Sequence, residues 1–422
     1  MAGSKNPRAA TLTSDRKNSG LYGRKPKVSG THIRSGVKYP YEFNPEIRKK
    51  AKVYSRVKII LGIVNGLVLP IGFLLAFFFS ELSLSLRDFL GPGLLSIPAF
   101  ILILFALINL AEFPLRYYAG FLMEHKYKIS RQSKKAWFKD YFKGLLLGFL
   151  FAVPAFLILY SLIWMEFWWI WASVLYFLME LFLNLIYPEL ILPFFYKLSP
   201  LKDKALEGRL LQMVGKAGAK DIGKILVAKE SEKSVRANAL FAGIGKTKKM
   251  VLFDTLLDNF TKDEVETVIG HELAHYVNKD VWRDILLNTV LIIPVFFLIG
   301  TVLSSGSLGL ESPNDIAGLP IFLAVIELFG LVLLPLKTFH SRAREKSADW
   351  KGLEWSRQPE AQISTEKRLA DLALSDDNPN RLVEIFLYTH PPARKRIEMV
   401  EEWKKQDRKK VRGSRKIIRS KI

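Results

Sequence analysis

Six long apolar stretches decide most of what this chain can fold into. They run approximately 58–80, 94–117, 142–164, 168–194, 285–305 and 319–338. Bilayer hydrocarbon offers no hydrogen bonds, so a segment crossing it must satisfy its own backbone, as a helix does. About 20 apolar residues suffice for one crossing. The sequence therefore predicts a mainly α-helical, polytopic bundle of about six spans. Several stretches contain Pro or Gly, which membrane helices tolerate where neighbours re-satisfy the backbone.

Charge is kept out of these stretches. Of 422 residues half are hydrophobic, yet the net charge is +22. Its distribution predicts orientation. The 81–93 loop has one basic residue, Arg87, and the 165–167 and 304–318 loops have none. The 119–141 loop carries Lys126, Lys128, Arg131, Lys134, Lys135 and Lys139. Basic residues favour the cytoplasmic side, so both termini and both large polar segments are expected there. The membrane expected is the plasma membrane if the protein is prokaryotic and the endoplasmic reticulum if it is eukaryotic.

The expected organisation is a basic, disordered tail over 1–50 and a membrane domain over 51–195 with four spans. A polar segment over 196–284 follows, then a membrane hairpin over 285–338. A second polar segment covers 339–403, and a basic tail covers 404–422. No secretory signal is read in the first 50 residues. The chain has no cysteine, which excludes disulfides, thiolate ligands, a cysteine nucleophile and S-lipidation of the chain itself. The polybasic ends fit a position beside anionic lipid. They lack interleaved aromatics, so no nucleic-acid partner is expected.

The chemistry is concentrated in His271-Glu272-Leu273-Ala274-His275. Two histidines four apart share one helix face, and the intervening glutamate is a built-in general base: a zinc-hydrolase signature. Thr261-Lys262-Asp263-Glu264 reads as the capping box that opens this helix. Catalytic zinc needs a third protein ligand and an open position. Glu345 is the preferred candidate, and His340 competes. Asp349, four residues beyond Glu345, shares its face and can orient a ligating imidazole. About 10 residues separate His275 from span five, and about 8 separate span six from Glu345. If both helices continue outward, the hairpin lifts the two to one level.

Arg236–Gly243 and Met250–Phe253 flank a Gly/Lys turn and read as a β-hairpin, whose edge can hold an extended peptide. Gly245-Lys246-Thr247 is not a phosphate loop, because position 240 is Leu. His390-Pro391-Pro392 precedes Arg394, Lys395 and Arg396; a histidine near the metal can stabilise an oxyanion, but taken alone His-Pro-Pro favours a structural turn. Asn109, Glu112, Arg116, Glu180, Asn184, Glu189, Asn288 and Glu327 lie in the spans, where polar groups line water-filled space or bond between helices.

The zinc segment, Ser341–Asp349 and His390-Pro391-Pro392 together resemble the type I CAAX prenyl protease family of integral-membrane zinc metalloendopeptidases. Tyr117-Tyr118 with Glu124, Tyr187-Pro188-Glu189-Leu190, Pro193-Phe194-Phe195, Asn238-Ala239 and Val251–Leu257 resemble family segments in the same order. The resemblance covers approximately residues 45–400. It implies one Zn²⁺ per chain on His271, His275 and Glu345, with Glu272 as general base. Asp349 is implied as the ligand-orienting carboxylate and His390 as an active-site histidine. Asn238, Ala239 and Arg396 stand as candidate substrate contacts. It also implies a helix-walled, water-filled chamber. Eukaryotic members carry an additional first span that this chain replaces with a basic tail.

The function expected is hydrolysis of peptide bonds near the C-terminus of a peptide or protein substrate, prenylated or not. No obligatory protein partner is implied. Two other readings are a heat-shock-type quality-control metalloprotease and a catalytically silent membrane scaffold. Six spans disfavour the former, and an intact ligand set disfavours the latter.

Overall fold

The structure is a computed structural model. It describes residues 41–419, apart from Leu94, Lys220, Asp221 and Gly223. Most of the N-terminal tail expected over 1–50 lies outside the described residues. Its last part is helical: Asn44 caps a helix that starts at Pro45, accepting from the backbone amides of Glu46 and Ile47. The end of the C-terminal tail is likewise outside. Residues 404–419 continue the helix Ala393–Arg419.

Among the described residues, six helices are long and apolar enough to cross a membrane: Pro45–Phe79, Ser96–Lys126, Lys134–Leu162, Trp168–Phe195, Asp280–Leu303 and Ile316–Ser356. Only 11–28% of each apolar window is buried inside the protein. A water-soluble core would bury far more. Leu110, Phe142, Leu146, Val290 and Val332 point outward instead, as lipid-facing residues do. The inward residues, including Phe100, Leu104, Ile299 and Phe322, form one apolar core among the spans.

The polar segments fold around a four-stranded sheet. Its strands are β1 (Leu198–Pro200), β2 (Ile225–Ala228), β3 (Ala239–Ala242) and β4 (Lys249–Phe253), in the order β1-β2-β4-β3. β3 and β4 form the expected antiparallel hairpin, with Leu240 opposite Val251. β2 runs parallel to β4. β3 stands at an edge of the sheet and packs against the helix that carries the His-Glu-x-x-His motif.

That helix, Lys262–Val277, begins as its sequence requires. The Thr261 Oγ1 accepts from the Glu264 amide at 3.1 Å, and Glu264 Oε2 accepts from the Thr261 amide at 2.8 Å. A cap of this kind stabilises a helix by about 1 kcal/mol. Val265, Ile269, Leu273 and Ala274 are fully buried. The helix does not continue into span five. Lys279 adopts a left-handed backbone, φ 57°, and a new helix starts at Asp280. On the other side nothing interrupts the chain: Leu319–Ser356 is a single helix of 38 residues that carries Glu345. The expected boundary at 338/339 falls inside it.

Candidate metal centre

The long helix Leu319–Ser356 crosses the motif helix at unusually close range. A Cβ on Gly352 would stand 2.9 Å from the His271 amide nitrogen, and one on Gly270 would stand 3.1 Å from the Gly352 carbonyl oxygen. Glycine at 352 is required for this approach, and glycine at 270 eases it; the crossing brings Glu345 opposite the two histidines.

Three side chains then converge. His271 Nε2 lies 3.1 Å from His275 Nε2 and 3.1 Å from Glu345 Oε2, and His275 Nε2 lies 3.3 Å from Glu345 Oε1. This is the one grouping of three or more potential metal ligands among the described residues. His340 is not part of it. Glu345 Oε2 is buried and makes no hydrogen bond, a cost that a bound cation removes.

The outer nitrogens of both rings are occupied. Asp349 Oδ1 is 2.8 Å from His271 Nδ1, and Asp280 Oδ2 is 2.8 Å from His275 Nδ1. Each Nδ1–H donates to its carboxylate, which leaves each Nε2 lone pair facing the cluster. Asp349 is held in turn. Arg396 Nε donates to its Oδ2 at 2.8 Å, and Arg396 Nη2 donates to its Oδ1. Arg396 Nη1 also pairs with Glu366 at 2.9 Å.

The local field favours positive charge. Burial opposes a charged His271, but Asp349 and Glu345 outweigh it and lift its pKa to about 10. Burial also opposes a charged His275, yet Asp280 and Glu345 lift it to about 9. A divalent cation meets the same demand while keeping both rings neutral as ligands. Burial pushes Glu272 above the ordinary carboxylate range, the direction that makes a carboxylate a better base.

A cavity of about 640 Å³ opens beside the cluster, lined by His271, Glu272, Asn238, His390 and Arg396 among others. His390 Nε2 is 3.4 Å from Glu345 Oε1, and Thr389 Oγ1 lies 2.9 Å from its Nδ1. Its loop is tied down from the long helix: Arg342 Nη1 donates to the Glu384 and Tyr388 carbonyls, both at 2.7 Å. The structure thus brings together His271, His275, Glu345, Glu272, Asp349, His390 and Arg396. Asn238 reaches the cavity from the residue before β3, whereas Ala239 is buried in the strand and does not line it.

Residues 200–404 match Peptidase family M48, and residues 37–197 match a family described as CAAX prenyl protease N-terminal, five membrane helices. Residues 200–404 form a peptidase family M48 domain. The chain is a membrane metalloprotease. "Uncharacterized metalloprotease YhfN" of Bacillus subtilis is 29% identical to this M48 protease over 366 residues, covering 83% of the chain and 85% of the relative. "CAAX prenyl protease 1" of Saccharomyces cerevisiae is 27% identical over 329 residues, covering 72% and 71%. The fold is similar to the crystal structure of S. mikatae Ste24p, with a TM-score of 0.74 at 21% identity, over 87% of this chain and 92% of that one. The matching N-terminal family has five membrane helices, whereas the described part of 37–197 here has four of spanning length. Leu82–Leu90 adds a helix too short to cross.

Three residues at the centre of this M48 protease had escaped the sequence reading. Asp280 lies beyond a helix break, so no helical spacing links it to His275. Glu366 sits on a separate helix, Pro359–Leu372. Gly352 carries no chemistry and matters only for what it lets approach.

The polar span residues serve both purposes. Glu112, Asn109, Arg116 and Glu327 line a second cavity of about 590 Å³. Glu180 accepts from the Tyr176 hydroxyl at 2.6 Å and, between helices, from Asn288 at 3.4 Å.

Proposed function

We propose that this protein is a zinc-dependent endopeptidase that cuts peptide bonds near the C-terminus of its substrate at the cytoplasmic side of the membrane. The observation that carries this reading is the spacing of the donor atoms on His271, His275 and Glu345. Donors about 2.0–2.1 Å from a tetrahedral Zn²⁺ stand roughly 3.3–3.4 Å apart. Here the two Nε2 atoms stand 3.1 Å apart, His271 Nε2 is 3.1 Å from Glu345 Oε2, and His275 Nε2 is 3.3 Å from Glu345 Oε1. Two imidazoles and one carboxylate are a donor set that suits zinc and leaves a fourth position open.

When bound in such a site, zinc acts as a Lewis acid and brings the pKa of water towards about 7. Glu272 lines the cavity beside the ligands and accepts the proton of the attacking water. It then delivers a proton to the leaving amine. His390 donates to the oxyanion that develops on the scissile carbonyl. β3 offers an unpaired edge to an extended peptide, and Asn238 marks where that edge meets the cavity. Arg396 is committed to Asp349 and Glu366, so its part is to position Asp349 and hence His271, not to touch substrate. Likeness to the relatives named CAAX prenyl protease 1 makes a CAAX-type C-terminus, lipidated or not, the first substrate to offer.

Glu272→Gln is the direct test. It should retain stoichiometric metal and lose about 10²–10⁴-fold in turnover of a peptide substrate, read by mass spectrometry of the products. Turnover at the parent rate would remove Glu272 from the mechanism.

A further inference from the structure

The cavity beside the metal cluster is not centred on β3. Arg236, Ala237 and Asn238 lead into the N-terminal end of that strand and line the cavity, whereas Ala239–Ala242 do not. A peptide added antiparallel to an edge strand runs with its C-terminal end towards the N-terminal end of that strand. The C-terminal part of such a peptide therefore enters this cavity, and a space of about 640 Å³ holds only a short segment.

The first spanning helix closes the same cavity with Ser55, Lys58 and Ile59. Here two cations share one carboxylate. Arg236 Nη2 donates to both oxygens of Glu124 at 2.8 Å. Lys58 Nζ stands 3.4 Å from Glu124 Oε1 and 3.2 Å from the Tyr54 hydroxyl. Lys58 and Arg236 contribute +2 and Glu124 contributes −1, so the cluster carries +1. Glu124 and Tyr54 are buried, but the Lys58 side chain is 50% exposed. An ammonium has three donors, and two of those on Lys58 are engaged at long range. The other carboxylates on the wall are Glu272, Glu366 and Asp376. Glu366 is paired with Arg396. An anionic group is repelled by Glu272 and Asp376 and attracted at Lys58.

We propose that Lys58, supported by Arg236, binds the free C-terminal carboxylate of the substrate. This inference rests on the proteolytic reading above.

The test uses the full-length, zinc-loaded protein in liposomes and one peptide made twice, as the free acid and as the C-terminal amide. The free acid should be cleaved with at least tenfold higher kcat/KM, the difference lying mainly in KM. Lys58→Met should bring the acid-to-amide ratio to near 1 by slowing the acid. Lys58→Arg, which keeps the charge, should preserve the preference. Continued hydrolysis of the amide shows that a variant is folded. Equal cleavage of both peptides by the parent enzyme, or an unchanged ratio in Lys58→Met, overturns the carboxylate site while leaving the protease intact. Failure of the parent to cleave either peptide overturns both readings.

Discussion

The two histidines of the metal centre are held in different ways. His271 is buried, and its support is deep: Asp349 on the extension of the span-six helix, then Arg396 and Glu366 on two helices of the polar segments. His275 is 24% exposed on its side chain and has a single orienting carboxylate, Asp280. That residue is the first of the span-five helix. One histidine is thus tied, through the polar end of the span-six helix, to two further helices, and the other rests on the first residue of the span-five helix alone. A change in span five reaches the cluster through His275 and through Arg344, the neighbour of Glu345, which pairs with Asp284 at 2.6 Å.

Mutations should separate the two sides. Asp349→Ala should have the largest effect. It strips a buried guanidinium of its main partner, which costs about 3–5 kcal/mol, and removes the carboxylate behind His271, which costs about 10–100-fold in metal affinity. Thermal unfolding in detergent and a zinc titration read the two losses separately; parent-like values in both would erase the contrast. Gly352→Ala comes next. Its methyl group must push the long helix away from His271, a strain of about 1–3 kcal/mol. Zinc affinity and turnover should fall together, because Glu345 moves with that helix. A variant with full zinc affinity would show that the close crossing is not what places Glu345. Asp280→Ala should be the mildest. It loses a helix N-terminal charge worth about 0.3–1 kcal/mol and should weaken zinc about tenfold. A stability loss as large as that of Asp349→Ala would mean that the two sides are equally deep.

Much of the centre was legible in the sequence. His271 and His275 face one way because a four-residue step on a helix returns to the same face, and Thr261 and Glu264 fix where that helix begins. Glu345 and Asp349 pair by the same rule. The β3–β4 hairpin followed from two apolar runs around a Gly/Lys turn. The role of Arg396 was not legible. Its place after His390-Pro391-Pro392 pointed to substrate, whereas the fold sets its guanidinium between two carboxylates that lie 17 residues apart in sequence. The geometry between span five and the motif helix was also hidden, since a continuous helix was expected and Lys279 breaks it.

The sequence by itself determined the spans, the motif helix and the pairing of His271 and His275 as candidate metal donors. These depend on local periodicity and on transfer of side chains from water, which each segment carries within itself. The tertiary structure alone decided which carboxylate supports which histidine, how closely two glycines let their helices cross, and where the cavity meets β3. Those outcomes depend on contacts between segments far apart in the chain, 78 residues for His271 and Asp349 and 112 for Arg236 and Glu124, and no spacing within a single segment encodes them.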